Sequence, residues 1–114
     1  MGCSDVGVPP LVGYNSQFKL QYSHTVLLPD GGEIRFKDVL EDSRCPVDVV
    51  CFWEGNARVL LTVAGKAIAL NTALDPKHYH YAGGTVRLVK LEPERYHRRE
   101  IVPHEYVITL MVER

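Results

Sequence analysis

His78-Tyr79-His80-Tyr81 places two imidazoles two residues apart. On an extended strand both project from one face, close enough to share a metal ion. Two imidazoles supply only half of a tetrahedral shell, and no spacing brings His97 or His104 to complete it. His78 and His80 are therefore weak metal candidates, and no metal site is expected. The plainer expectation is a loop or edge strand whose tyrosines pack while its histidines face water. A second constellation surrounds the cysteines. Asp42 and Glu54 flank the Cys45 to Cys51 segment, and two carboxylates across a short loop are the groups of acid–base hydrolysis. Arg44 can grip a ligand carboxylate or phosphate through two parallel bonds. It can equally pair with Asp42 inside the protein, where an Asx-type turn would hold the loop, and that internal pairing is expected. Trp53 offers either an exposed ligand platform or a large apolar body packed over the cysteine pair as core, and core packing is expected. Asp42, Arg44, Trp53 and Glu54 are thus the candidate ligand-binding residues, and no catalytic residue is assigned.

Other signals are weaker. Arg95-Tyr96-His97-Arg98-Arg99 is a basic run with an aromatic in it. It suits a phosphate-bearing partner or anionic lipid head groups, yet a solvated loop is the simpler reading. Thirteen Lys and Arg stand against fourteen Asp and Glu, a net charge of −1. That balance lacks the basic field of many nucleic-acid binders, and no nucleic-acid partner is expected. Ser43 sits in no nucleophile elbow, and Gly31-Gly32 and Gly83-Gly84 read as turns rather than phosphate loops. No cofactor is expected.

The elements that must position these groups are strands. Phe18, Leu20, Tyr22, His24, Val26 and Leu28 alternate with Lys19, Gln21, Ser23 and Thr25. Period two predicts one long bent strand or two in sequence. Pro29-Asp30-Gly31-Gly32 turns the chain into a second strand holding Ile34, Phe36 and Leu40. Residues 41–56 are irregular. A strand near 57–63 carries Ala57, Val59, Leu61 and Val63, and Ala64-Gly65 turns it into another near 66–72. Residues 73–84 read as a loop, followed by a strand over about 85–91 that Pro93 ends or bulges. Tyr106, Ile108, Leu110 and Val112 alternate with the apolar Val107 and Met111 and with Thr109, so the last strand is central, with Trp53 or Tyr22 near one end of its core. No segment has a sustained helical stripe. The fold expected is all-β: an antiparallel β-sandwich or partly open barrel of about seven or eight strands. Residues 1–16, with Pro9-Pro10, read as a stiff N-terminal tether and 17–114 as a single domain. One domain also suits 114 residues, 46% of them apolar and 24% charged. No apolar run approaches eighteen residues, the length of a membrane-crossing helix.

The three cysteines are Cys3, Cys45 and Cys51. The last two have five residues between them, Pro46 included, and two readings stay open: a local disulfide or two reduced thiols. A zinc pair is weaker, since structural sites use tighter spacing and two further ligands. A disulfide would restrict the unfolded chain by roughly 2 to 2.5 kcal/mol and imply an oxidising compartment. Met1-Gly2-Cys3-Ser4-Asp5 resembles the end of a bacterial lipoprotein signal, which makes Cys3 a candidate lipidation site.

Val39-Leu40-Glu41-Asp42-Ser43-Arg44-Cys45-Pro46 followed by Cys51-Phe52-Trp53-Glu54-Gly55-Asn56-Ala57 resembles a group of bacterial secreted or lipid-anchored β domains. Their pattern is Val-x-Glu-Asp-Ser-Arg-Cys-Pro, a short gap, then Cys-x-Trp-x-Gly and a strand. Leu70-Asn71-Thr72, Leu91-Glu92-Pro93 and the Tyr106 strand extend the resemblance over most of residues 18–113. It implies a small extracytoplasmic β domain with a Cys45–Cys51 bridge, and no activity. The function expected is a non-enzymatic extracytoplasmic binding domain, in the periplasm or at the cell envelope. Its partner would be a protein, peptide or glycan, and its membrane contact would run only through a lipid on Cys3. The alternatives are a small enzyme using Asp42 and Glu54 or the His78 and His80 cluster, and a cytosolic interaction protein with reduced thiols.

Overall fold

Period-two alternation folds the chain into two antiparallel four-stranded sheets packed face to face as a sandwich. The computed structural model describes residues 9–114, so Cys3 lies outside the described residues. The strands are β1 (Gln17–Gln21), β2 (Thr25–Leu27), β3 (Glu33–Asp42), β4 (Ala57–Val63), β5 (Lys66–Asn71), β6 (His78–Tyr81), β7 (Gly84–Glu92) and β8 (Val107–Glu113). One sheet has the order β1-β8-β7-β6 and the other β2-β3-β4-β5. Neither closes into a barrel.

The long N-terminal alternation resolves as two strands in different sheets. Ser23 takes a positive φ of 67°, which turns the chain between them and leaves His24 exposed while Leu20, Val26 and Leu28 stay buried. β2 and β3 form the hairpin expected around Pro29-Asp30-Gly31-Gly32. β3 then bulges twice, between Phe36 and Asp38 and between Val39 and Glu41. Each bulge adds an unpaired residue and resets which face follows. Leu40, expected among the inward residues, is therefore exposed, and Val39 packs on the core instead.

The core lies between the sheets. Phe36, Val59, Leu61 and Val63 face Val86, Leu88, Ile108, Leu110 and Val112, all buried. β8 is central, between β1 and β7, and Tyr106, Ile108, Leu110 and Val112 are buried together. Tyr22 meets Phe36 edge to face at 5.5 Å at one end of that core. Residues 73–84 are not wholly a loop, since β6 pairs along the first half of β7. Part of the segment expected as a tether is also bonded into the fold. Leu11 bridges to Leu27 and Tyr14 to Val112, the Val12 N–H donates to the Leu27 carbonyl at 3.0 Å, and Val12 and Tyr14 pack on the core.

Candidate interaction site

β3 and β4 end their pairing at Asp42 and Ala57, and the chain between them forms a long loop at one end of the sandwich. Backbone bonds carry the ladder a little further. Ser43 N–H donates to the Asn56 carbonyl at 2.7 Å, and Cys45 N–H to the Glu54 carbonyl at 2.8 Å. The Cys45–Cys51 disulfide then closes the tip, with Cα atoms 6.1 Å apart. The base is closed by Gly55 and Asn56. Asn56 is buried; its Oδ1 accepts from the N–H groups of Ala73 and Leu74 at 3.0 and 3.1 Å, and its Nδ2 donates to Asn71 Oδ1 at 2.9 Å. Gly55 sits at φ +76°, where a Cβ would lie 2.0 Å from the Ser43 carbonyl oxygen. Gly55→Ala thus combines left-handed strain with a backbone collision. A loss of at least about 2 kcal/mol is expected in chemical denaturation, and an unchanged midpoint would contradict the tight crossing.

Asp42 and Arg44 form the internal pair the sequence suggests. Arg44 Nε donates to Asp42 Oδ1 and Nη2 to Oδ2, both at 2.7 Å. Their side chains are only 11% and 15% exposed. Arg44 also donates from Nη1 to the Leu91 carbonyl at 2.9 Å and from Nη2 to the Pro93 carbonyl at 3.0 Å. Four of the five guanidinium N–H bonds are engaged, so this fork stitches one sheet to the other rather than waiting for a ligand. Tyr106 Oη donates to Asp42 Oδ2 at 2.9 Å, and Arg95 Nη1 donates to the Arg44 carbonyl. Burial and the bond to Asp42 push the Tyr106 hydroxyl up to about 12.

For Asp42 the two effects oppose. Burial raises its pKa, the hydrogen bonds from Arg44 and Tyr106 and the Arg44 charge lower it, and the net direction is down. A carboxylate depressed in the folded state contributes stability above its unfolded pKa, about 3.9, that is lost as pH falls through the folded value. Acid unfolding should therefore steepen below about pH 4, and Asp42→Asn should flatten that limb of a stability–pH profile. An identical acid limb in the variant would mean that the pair does not hold the loop.

The loop's outer wall is the 93–102 segment. Val47 N–H donates to the Arg95 carbonyl at 2.8 Å. The Asp48 carboxylate accepts from the His97 backbone N–H at 3.0 Å and meets His97 Nδ1 at 2.6 Å. The backbone bond from His97, with the ring behind it, holds the Asp48 carboxyl below its ordinary range despite some desolvation. Arg99 pairs with Glu105 at 2.6 Å. The basic run is thus mostly exposed but partly engaged in internal bonds.

Apart from Glu54, what the loop leaves unengaged is apolar. Phe52 is 109% and Val50 101% exposed, as open as in an unfolded chain, and Trp53 is 53% exposed. Val47 and Val49 beside them, and Tyr96 and Val102 on the 93–102 segment, are exposed too. Trp53 does not pack as core. The mouth of the sandwich beneath it is already closed by Asp42, Arg44 and Asn56, and Cys51 itself faces solvent. Glu54 is exposed and borders a hollow of about 300 Å³ with Arg44, Val47, Lys90 and Arg95, which Asp42 does not line. The two carboxylates therefore do not face one space.

His78 and His80 lie on the exposed face of β6, with ring centroids 5.0 Å apart, while Tyr79 and Tyr81 pack on the core. His80 Nδ1 is 2.8 Å from Thr85 Oγ1. Among the described residues no third His, Cys, Asp or Glu joins them. Sequence reasoning missed Val50, Phe52, Tyr106 and the Asp48–His97 clasp. The first two did carry a signal, an apolar cluster inside a Pro-bounded stretch with no strand period. A tyrosine hydroxyl or a clasp between distant loops leaves no local pattern.

No protein-family model matches the chain, and no curated protein or solved structure is similar enough to show a relationship.

Proposed function

We propose that the chain is a non-enzymatic extracytoplasmic contact domain that engages its partner through the disulfide-clipped loop. The observation that carries this reading is a division of labour at one end of the sandwich. Asp42 bonds to Arg44 and Tyr106, and Asp48 to His97, while Val50, Phe52 and Trp53, with Glu54 beside them, are given to solvent. Exposed apolar side chains grouped on a braced element mark a contact surface. A pre-ordered loop also avoids the ordering cost of binding.

The local disulfide supports an oxidising compartment, as does the resemblance to secreted and lipid-anchored β domains. A lipid on Cys3 would hold such a domain at the envelope. The partner surface is a protein, peptide or glycan, or the envelope's own lipid. The enzyme alternative finds no support in an Asp42 carboxylate already bound by Arg44 and Tyr106, and thiol counting separates the cytosolic alternative.

The test compares the chain with a Phe52→Ser/Trp53→Ser variant for retention on envelope fractions and on peptide and glycan arrays. Loss of retention at an unchanged melting temperature is expected. Equal retention by both proteins would overturn the reading. So would finding all three cysteines free in protein recovered from an oxidising compartment.

A further inference from the structure

The geometry points to a bilayer as the occupant of this loop: we propose that Val50, Phe52 and Trp53 insert into the interface of a lipid membrane. The inference rests on the contact-domain reading and names its partner. Its first support is shape. Side chains 101% and 109% exposed are no more covered by their own domain than in an unfolded chain, and they project from the loop as a tip. A rigid protein surface covers one side of such a tip, whereas fluid lipid closes around all of it.

The second support is the order of chemistry along the tip. Val50 and Phe52 lead. Trp53, next in sequence to Phe52, is half-exposed, which suits an amphipathic ring at the level of the head groups. Between Pro46 and Trp53 the only charged side chain is Asp48, and it is folded back onto the backbone and ring of His97. No other carboxylate lies between Val47 and Trp53, and the exposed Glu54 comes after them, where its backbone carbonyl accepts from the Cys45 N–H. Arg95 and Arg98 behind the tip are balanced by Glu54, Glu94 and Glu100, so insertion is apolar in origin and does not require anionic lipid.

The third support is where the described chain begins. Pro10 borders a hollow with Glu92, Pro93 and Glu105, at the same end of the sandwich as the 93–102 segment that clasps the loop. Six residues lie between Cys3 and Pro10, seven Cα steps with a reach of at most about 25 Å. A lipid on Cys3 would lie within that reach of the hollow.

Trp53 is the chain's only tryptophan, so its emission reports the tip directly. The experiment uses the full chain with Cys3→Ser, which removes any lipid, titrated with vesicles of phosphatidylcholine alone and of phosphatidylcholine mixed with phosphatidylglycerol. A blue shift of Trp53 emission and co-sedimentation are expected on both, with little effect of salt. Val50→Ser/Phe52→Ser should weaken partitioning at least about tenfold, with near-ultraviolet circular dichroism unchanged. Binding confined to phosphatidylglycerol vesicles, lost in salt and indifferent to that variant, would overturn the proposal in favour of simple attraction to the basic run. Absence of any shift or sedimentation would overturn it as well. If the Phe52→Ser/Trp53→Ser variant had still lost envelope retention, the contact-domain reading would survive with a protein or glycan partner.

Discussion

Leu110→Ala should cost about 2 to 5 kcal/mol of folding stability. Leu110 is fully buried at the centre of β8, opposite Phe18 on β1 and Leu88 on β7. Strands on both sides of β8 hold the backbone in place, so the space left by the missing carbons cannot collapse. The transfer and cavity terms then add. Urea denaturation measures the effect as a lower midpoint with an unchanged slope. A loss below about 1 kcal/mol would mean that β8 is peripheral and that the two sheets do not share this core.

Arg44→Met is expected to cost a similar amount, about 3 to 5 kcal/mol near neutral pH. The substitution keeps an apolar stem of comparable length and removes the fork. It leaves the Asp42 carboxylate, 11% exposed, with only the Tyr106 hydroxyl at 2.9 Å and the residue-44 backbone N–H at 3.4 Å, and it frees the Leu91 and Pro93 carbonyls. Most of the cost is that of a buried charge without its partner rather than the worth of the pair. Asp42→Asn/Arg44→Met should therefore recover much of the loss. The penalty should also shrink in acid, because burial without Arg44 drives the carboxyl toward its neutral form. A double-mutant cycle read at two pH values checks both points. Strict additivity of the two substitutions would show that the groups do not meet.

The parts of the fold visible in the sequence are those in which one local rule acts alone. β4 and β8 keep unbroken alternation and emerge where the period places them. β6 was hidden because Asp75-Pro76 and Gly83-Gly84 bracket it with turn residues, and four residues of His-Tyr-His-Tyr are too short to outweigh them. Its pairing with β7 decides the matter. Leu40 was misplaced because a bulge is a property of two strands in register and not of either alone. Leu11 and Tyr14 carry no strand pattern, yet each bridges a strand of the sandwich.

The site divides in the same way. The Asp42–Arg44 pairing is local, two residues apart, and was legible. The bonds from Arg44 to Leu91 and Pro93 span 47 and 49 residues, and nothing in either segment announces the other. Trp53 was misread by analogy with a tryptophan packed on a disulfide. Here the disulfide lies on the solvent side of the loop, and polar groups have already filled the space below it.

The most direct test of the account is the emission of Trp53 in the isolated folded protein, without lipid or partner, together with its quenching by acrylamide. A tryptophan half-exposed on an open tip should emit well to the red of a buried indole, between it and the urea-unfolded chain, and be readily quenched, while near-ultraviolet circular dichroism reports intact packing. Emission shifted well to the blue and shielded from acrylamide would place Trp53 inside the sandwich. The braced apolar tip, and the contact function read from it, would then be wrong.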